Sequence, residues 1–237
     1  MDLIAIANEL GAAVGKLGFR PPAAWVYNPL AYAWQPHRMY LERYGQAPKE
    51  ILLVGMNPGP WGMVQTGVPF GDVVLVRDWL GISAPVGRPE REHPKRPVLG
   101  FACRRREVSG MRLWGWAKKT YGSPERFFAR FFVLNYCPLA FFTESGENLT
   151  PDRLPASDRQ PLFAACDAAL RQAVEILSPK YVLGVGGFAA RRIKVILAGA
   201  AIGTGTIPHP SPLNPAANHG WAQALEQVLT QVGIRLP

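Results

Sequence analysis

Hydrophobic positions in this chain follow two different spacings. Between residues 2 and 17 the apolar side chains recur every three or four positions, which predicts an amphipathic first helix that ends near Gly18. Four short, continuous apolar runs follow at wide intervals, and each is typical of a buried strand: residues 51–54, 131–134, 181–185 and 202–207.

Helical patterns lie between and after these runs, over residues 163–177, 189–197 and 221–232. Strands that alternate with helices favour a parallel sheet covered on both faces. We therefore predict an α/β fold, a three-layer α/β/α sandwich with a central four-stranded parallel sheet. Right-handed crossovers bring the carboxyl ends of its strands to one edge, where ligands bind in open α/β sheets.

The composition is that of a folded globular protein. The 237 residues are 48% hydrophobic and 18% charged, which excludes an intrinsically disordered chain. No internal repeat, low-complexity tract or linker divides the sequence, so we expect residues 1–237 to form a single domain.

Proline is concentrated in the segments that follow the predicted strands. These segments are 55–62, 135–138, 184–189 and 208–212, and three of the four contain proline. Because proline fixes φ and lowers the entropy lost when a loop becomes ordered, we expect a stiff, preorganised site at this edge of the sheet.

Basic residues outnumber acidic ones by 26 to 17, and the net charge of +9 favours a polyanionic partner such as nucleic acid. An anionic membrane surface is the alternative. Residues 88–106 carry seven basic and two acidic side chains and so supply +5 of that charge. We interpret this stretch as binding DNA phosphates, through Arg104, Arg105 and Arg106 in particular, with a solvated surface loop as the alternative.

A few local features of the sequence predict the cellular location of the protein and the redox state of its cysteines. Asp2 stands where a signal peptide would be basic, and four prolines interrupt the charge-free run 195–225, so neither a secretory segment nor a membrane span is predicted. We expect a cytoplasmic protein, associated with the nucleoid in a bacterium. Three widely spaced cysteines, Cys103, Cys137 and Cys166, indicate buried free thiols, with no metal site and no cofactor.

Two local patterns near the strand ends have competing interpretations. Residues 184–189 match the G-x-G-x-x-A turn of dinucleotide-binding proteins, but the acidic residue expected about twenty positions later is missing. A tight turn close to a phosphate or another backbone is therefore favoured. Ser211 near His209 could suggest a hydrolase nucleophile, yet the G-x-S-x-G elbow is missing. His209, between two prolines at a strand end, is the better catalytic candidate.

Two longer motifs resemble the signature motifs of the single-strand-selective monofunctional uracil-DNA glycosylases. The first is Gly-Met-Asn-Pro-Gly-Pro-Trp-Gly-Met at 55–63 with Thr-Gly-Val-Pro-Phe-Gly at 66–71, and the second is His-Pro-Ser-Pro at 209–212 with Asn-Pro at 214–215. Tyr-Asn-Pro-Leu at 27–30 and Asn-Tyr-Cys-Pro-Leu at 135–139 are also similar to that family. The resemblance covers residues 27–221, and it implies the α/β/α fold predicted above.

The resemblance also implies a reaction. It is hydrolysis of the N-glycosidic bond of uracil, or of a 5-modified uracil, in single- and double-stranded DNA, which leaves an abasic site. In the implied site Asn57 holds the attacking water and His209 binds O2 of the departing base. Phe70 stacks on the flipped base and Asn135 reads its edge. Three residues line the pocket near C5 of the base: Met56, Gly59 and Met63.

The segment after His209 is implied to contact DNA through Ser211, Pro212, Leu213 and Asn214. Two residues depart from the family's pattern. Leu213 replaces a basic residue, which favours an apolar wedge over a polar contact with the orphaned base. Tyr136 stands where a histidine often follows the reading asparagine. The nearest carboxylate to the first motif, Asp72, is predicted to cap a helix over 73–80 instead of acting as a base.

Two other functions stay open. The chain could be a glycosylase of the same superfamily that prefers mismatched thymine or deaminated purines, or a DNA-binding protein that senses lesions without cutting. Asn57 and His209 argue against the second, because binding alone needs no residue to hold a water. We expect a monomer with no obligatory protein partner and no membrane attachment.

Overall fold

The structure, a computed structural model, describes residues 2–237, which contain two sheets. The strands in chain order are β1 (Trp25–Tyr27), β2 (Ile51–Gly55), β3 (Phe131–Asn135), β4 (Ala140–Phe142), β5 (Asn148–Leu149), β6 (Tyr181–Val185) and β7 (Gly203–Ile207). The larger sheet has four parallel strands in the order β3-β2-β6-β7. The smaller one is antiparallel, in the order β1-β4-β5.

The helices of this part of the chain lie before, between and after those strands. They are α1 (Leu3–Gly15), α2 (Pro29–Tyr32), α3 (Trp34–Tyr44), α4 (Met63–Thr66), α5 (Val73–Asp78), α6 (Val108–Tyr121), α7 (Pro124–Phe128), α8 (Ala156–Leu177), α9 (Gly187–Ile196) and α10 (Trp221–Gln231). Short 3-10 helices span Gly100–Ala102, Pro151–Arg153 and Pro215–His219. None of the helices described is long and apolar enough to cross a membrane.

The four-stranded parallel sheet confirms the predicted α/β/α architecture. Every residue of β2 is buried, so the sheet is covered on both faces. In one group of helices α8 contacts α1 and α9, and in another α6 contacts α5, α7 and α10. All four predicted strands are present, with ends displaced by at most one residue, because continuous apolar runs suit strands buried on both faces.

The strand order fixes where a ligand can bind. From β2 the chain crosses to β3 on one side, whereas from β6 it crosses to β7 on the other. The carboxyl ends of β2 and β6 therefore lie at the topological switch point, where divergent loops leave a crevice. Gly55, at the end of β2, pairs with Asn135, at the end of β3, and Val185 pairs with Ile207. The segments after all four strands meet there.

Several elements differ from the sequence-based expectation, among them α2, α3, α4 and α7, which were not predicted. The small antiparallel sheet was not predicted, because strands of two or three residues are too short to show a periodicity. Helix α6 was also missed, since glycines at 110 and 115 interrupt its pattern. Helix α8 begins at Ala156, two turns before the predicted start, although Pro161 lies inside it.

Candidate active site

A pocket opens at the switch point of the sheet and encloses about 350 Å³. Seven residues singled out from the sequence line it, although they come from segments far apart in the chain: Met56, Asn57, Gly59, Met63, Phe70, Asn135 and His209. Its walls also include Gly62, Glu107 and Ser109, which sequence reasoning did not select.

The loops after β2 and β3 are held together by backbone hydrogen bonds beyond the ends of the strands. Tyr136 N donates to Gly55 O and Cys137 N donates to Met56 O, each at 2.9 Å. This pairing continues the ladder into the loops, so the two asparagines that they carry are fixed relative to each other. The pocket is thus preformed by main-chain contacts.

The Asn57 side chain has a defined orientation. Its Nδ2 donates to the carbonyl oxygen of Leu139 at 3.2 Å, in the segment that leads into β4. Because the donor end of the amide is engaged there, Oδ1 is left as an acceptor for a ligand or water in the pocket. The small sheet missed by sequence analysis therefore helps to position the residue predicted to hold water.

His209 follows β7 in a loop held by hydrogen bonds on several sides. Asn214 Nδ2 donates to His209 O at 2.9 Å, and Arg112 from α6 donates to Pro210 O at 2.8 Å. The glycine-rich turn after β6 packs against the ring: Gly186 has φ +87°, and a Cβ there would lie 3.2 Å from His209 Cβ. The turn that matched G-x-G-x-x-A thus allows a close approach to His209, in line with the interpretation as a tight turn against another segment.

The hydrogen bonds of the imidazole define its tautomer. His209 Nδ1 accepts the backbone N–H of Ser211 at 3.1 Å, so Nδ1 carries no proton and the neutral ring has its hydrogen on Nε2. Burial lowers the pKa of His209 from its usual 6.5, because the cation loses hydration. The ring is therefore a neutral Nε2–H donor on the pocket wall.

We expect this tautomer to be visible by nuclear magnetic resonance. At pH 6.5 an ordinary histidine is half protonated, whereas the lowered pKa keeps most of His209 neutral. Imidazole ¹⁵N–¹H correlation spectra should show an unprotonated Nδ1 and a protonated Nε2, assigned by the loss of these signals in His209→Leu. An imidazolium signal for His209 at that pH would contradict the assignment.

Phe70 and Asn135 lie around the end of β2, where Gly55 has no side chain. A Cβ at Gly55 would stand 2.7 Å from Phe70 Cε2 and would also clash with Asn135 Oδ1. Phe70 adopts φ +53°, a conformation uncommon outside glycine that is often found at functional sites. Its ring centroid lies 6.3 Å from that of His209. Asn135 Nδ2 faces Met63 Sδ at 3.2 Å.

Glu107 is the charged residue among the three pocket residues that sequence analysis missed. Its carboxylate lies against the first motif, since a Cβ built on Gly59 would come 2.7 Å from Glu107 Oε2. It also caps α6 by accepting the Ser109 N–H at 3.4 Å. Burial raises the pKa of Glu107 above its usual 4.5, while the amides of Ser109 and Trp61 oppose that shift. An acidic residue that ends a basic run just before a helix was the available signal.

The basic stretch 88–106 is an ordered segment fastened to the pocket loop. Gln65, which is fully buried, donates to Pro60 O at 3.0 Å and to Pro97 O at 2.9 Å, and it accepts from Leu99 N at 2.8 Å. Tyr27 contacts the same segment through His93 N and Arg96 O. These bonds argue against the alternative of a simple solvated loop.

The three arginines at the end of that stretch are not equivalent. Arg104 and Arg105 are exposed, and Arg105 stacks on the Trp61 ring at 4.3 Å. Arg106 instead binds Asp72 through two hydrogen bonds of 2.7 and 2.9 Å. Asp72 is wholly buried and caps α5 by accepting from Leu75 N, as predicted. Arg106 thus differs from its two neighbours, because its guanidinium neutralises a buried carboxylate, and phosphate binding by all three stays a prediction.

The segment after His209 presents a large apolar side chain, Leu213, to solvent. Leu213 is 91% exposed, and its N–H donates to Ser211 Oγ at 3.2 Å. Asn218 Nδ2 donates to Pro212 O at 3.0 Å and stiffens the same turn. The Asn214 side chain donates to His209 O, and its predicted contact with DNA stays a prediction.

Tyr136 and the three cysteines, singled out from the sequence, lie in the interior of the protein. Tyr136 points away from the pocket, where its hydroxyl donates to Asp167 at 2.7 Å, and Asp167 also pairs with Arg192. Cys103, Cys137 and Cys166 are buried free thiols, which confirms that expectation. Among the residues that the structure describes, no three metal-binding side chains form a cluster.

Together these observations define a class. The chain is an open α/β protein with a preformed pocket at the switch point, lined by both Asn57 and His209. The family model described as "Uracil DNA glycosylase superfamily" matches residues 42–229. The chain belongs to this superfamily.

Individual relatives extend over nearly the whole chain. It is 50% identical over 228 residues to the single-strand selective monofunctional uracil DNA glycosylase of Mus musculus, covering 95% of this chain and 82% of the mouse protein. The counterpart from Bos taurus is 49% identical over 221 residues, covering 92% and 81%. A crystal structure of wild-type Pedobacter heparinus SMUG2 superposes with a TM-score of 0.65 at 16% identity, covering 95% of this chain and 96% of that chain, which supports the fold.

Proposed function

We propose that this protein excises uracil from DNA by hydrolysing its N-glycosidic bond and leaving an abasic site. The observation that carries the proposal is the convergence of Asn57 and His209, 152 positions apart in the sequence, on one pocket whose other walls suit a planar base. The single-strand selective glycosylase from mouse, at 50% identity, supports the same reaction. We also propose that the protein acts as an intracellular monomer.

The attacking water needs little activation by the enzyme. Cleavage of a glycosidic bond passes through an oxocarbenium-like state, so the sugar becomes a strong electrophile before water attacks. An amide oxygen that only positions the water can then suffice. Asn57 Oδ1 is available for this role because Nδ2 is held by Leu139 O.

The departing base needs stabilisation of negative charge on N1 and O2. The Nε2–H of His209 supplies a hydrogen-bond donor in a buried site, where such a bond is stronger than in water. Glu107 lines the same pocket, where burial raises the pKa of its carboxyl group above the usual 4.5. Phe70 would stack on the flipped base.

Asn135 is proposed to read the uracil edge, with Nδ2 donating to O4 and Oδ1 accepting from N3–H. In the structure Nδ2 faces Met63 Sδ, a weak acceptor that O4 can replace. Met56, Gly59 and Met63 would surround C5. We propose that 5-modified uracils are also accepted, as the resemblance to the single-strand-selective glycosylases implies.

We expect Asn135→Asp to lower the uracil excision rate by about 10-fold to 100-fold, the cost of an unmatched buried polar pair. An ionised carboxylate cannot donate to O4 and would repel the departing anion. Single-turnover assays with uracil and cytosine substrates measure the effect, and Asn148→Ala, an exposed asparagine in β5, is the control. Unchanged uracil excision would mean that another residue reads the base.

DNA contacts would come from both sides of the pocket. On one side lie Arg104 and Arg105, while we assign Arg106 to its pair with Asp72. On the other side lies the loop with Ser211, Pro212 and Leu213, in which Asn214 acts by holding His209 O. The exposed Leu213 is suited to enter the space that the flipped nucleotide leaves.

We expect Leu213→Ala to reduce excision from duplex DNA about tenfold more than from single-stranded DNA. Filling the vacated space offsets part of the few kcal/mol lost in unstacking, and a single strand has less stacking to replace. Parallel single-turnover assays on matched single- and double-stranded substrates measure the ratio, with the exposed Val195→Ala as control. Equal losses on both would assign Leu213 to supporting the His209 loop instead.

A direct assay tests the proposed function. The protein is incubated with an oligonucleotide containing one uracil, and alkali then cleaves any abasic site. We expect cleavage at the uracil position and none without alkali treatment. A panel carrying mismatched thymine or deaminated purines separates the alternative specificities, and binding to uracil-DNA without any excision would favour a lesion-sensing protein.

A further inference from the structure

An open groove separate from the base pocket lies beside the first motif and spans about 1140 Å³, including space open to solvent. Four cations line it, Lys95, Arg96, Arg104 and Arg105, and its described lining contains no carboxylate. Within residues 2–237 none of these four cations forms an ion pair. The groove therefore carries concentrated positive charge that the protein itself does not neutralise.

The groove and the base pocket share a wall. Trp61 lines the groove, and the next residue, Gly62, lines the pocket. Gln65 fixes this relation, because its side chain donates both to Pro60 O in the pocket loop and to Pro97 O in the groove wall. A strand whose uracil entered the pocket would thus have its neighbouring nucleotides at the rim of the groove.

The floor of the groove offers flat surfaces as well as charge. The Arg105 guanidinium lies 4.3 Å from the centre of the Trp61 ring, and that of Arg96 lies 5.5 Å from it. Indole rings and guanidinium planes both stack on nucleic-acid bases. Stacking surfaces combined with cations are typical of sites for single-stranded nucleic acid, whose bases are free to stack on protein.

We propose that this groove, bounded by Trp61, Arg96, Arg104 and Arg105, is a subsite for the single-stranded nucleotides on one side of the flipped uracil. A base stacks on the Trp61–Arg105 surface, and the arginines bind the phosphates. The proposal rests on the proposed function, since it assumes that uracil in DNA occupies the pocket.

Binding to a set of truncated oligonucleotides tests the subsite. The probe is a single strand with a central deoxyuridine fluorinated at the 2′ position, which resists hydrolysis because fluorine disfavours the oxocarbenium-like state. Two further probes lack the nucleotides 5′ of the uridine or those 3′ of it. Affinities are measured for wild type, Trp61→Ala and Arg105→Ala, with Lys180→Ala as the control that removes a cation at the opposite edge of the sheet.

We expect Trp61→Ala to weaken binding of the full probe by about tenfold, the size of one lost base stack. The truncated probe that keeps the groove-side nucleotides should show the same tenfold loss. The truncated probe that lacks them should show a loss below about twofold. Arg105→Ala should follow this pattern and also reduce the slope of log K against log salt by up to about 0.7. Trp61→Phe should retain most of the affinity.

Several results would overturn the subsite. One is a Trp61→Ala or Arg105→Ala loss that is the same for all three probes, and another is no loss on any probe. Because Arg105 is exposed, its variant keeps the test decisive even where Trp61→Ala is poorly folded. Excision of uracil by the wild type from the unfluorinated probe is scored separately, so failure of the subsite and failure of the proposed function give different results.

Discussion

Replacing Asn57 with alanine is expected to lower the single-turnover excision rate by about 10²-fold or more. The variant removes the oxygen that positions the attacking water, and small errors in positioning a reactant can cost a factor of that size. Binding of uracil-DNA should change little, because Phe70, Asn135 and His209 remain in the pocket. The rate is measured with enzyme in excess, and affinity with the 2′-fluorinated probe.

Two companion variants sharpen this test. Asn57→Asp keeps an acceptor for the water but loses the donor to Leu139 O, so we expect a rate between those of wild type and Asn57→Ala. The exposed Asn148→Ala should behave as wild type. Near wild-type turnover by Asn57→Ala would show that Asn57 does not position the attacking water and that another group does.

Replacing His209 with leucine is expected to lower the single-turnover rate by about 10²-fold to 10³-fold, as for the loss of one preorganised donor to a developing negative charge. The effect should fall on the rate more than on affinity, because O2 gains its charge only as the bond breaks. A uracil substrate and its 2′-fluorinated analogue measure the two quantities. His209→Gln, which retains an N–H donor, is expected to recover part of the lost rate.

A matched loss of rate and affinity in His209→Leu would assign the ring to binding of the ground state. His209→Leu also separates a chemical effect from collapse of the loop. Asn214 donates to the carbonyl oxygen of residue 209 and Arg112 to that of Pro210, and the substitution leaves both main-chain carbonyls in place. Unchanged circular dichroism and thermal unfolding would show that the loop and the fold are intact.

The sequence predicted the central sheet well because buried parallel strands are continuous apolar runs, and such runs at 51, 131, 181 and 202 have few other structural explanations. Helix α6 and the small sheet were missed, since their stability comes from contacts with distant segments. The first is interrupted by glycine at 110, which the backbone of Phe70 approaches closely.

The candidate site residues also divide into those that the strand pattern locates and those that it does not. Asn57, Asn135 and His209 follow strands, so topology alone predicts that they meet at one edge. Glu107 carries no comparable signal, because it reaches the pocket from a helix start that the sequence did not reveal. The resemblance in the two motifs supplied the proposed roles, which the strand pattern could not.

By itself, the sequence determined the fold class and the edge of the sheet that holds the pocket, because both depend on local patterns and on general rules of chain connection. The resemblance in its two motifs supplied the set of side chains expected there. Only the tertiary structure decided the state of those side chains. Burial and the Ser211 N–H make His209 a neutral donor, and Asp72, 34 positions away, takes Arg106 from the basic stretch. Protonation and charge pairing depend on desolvation and on distances across the fold, which sequence spacing does not contain.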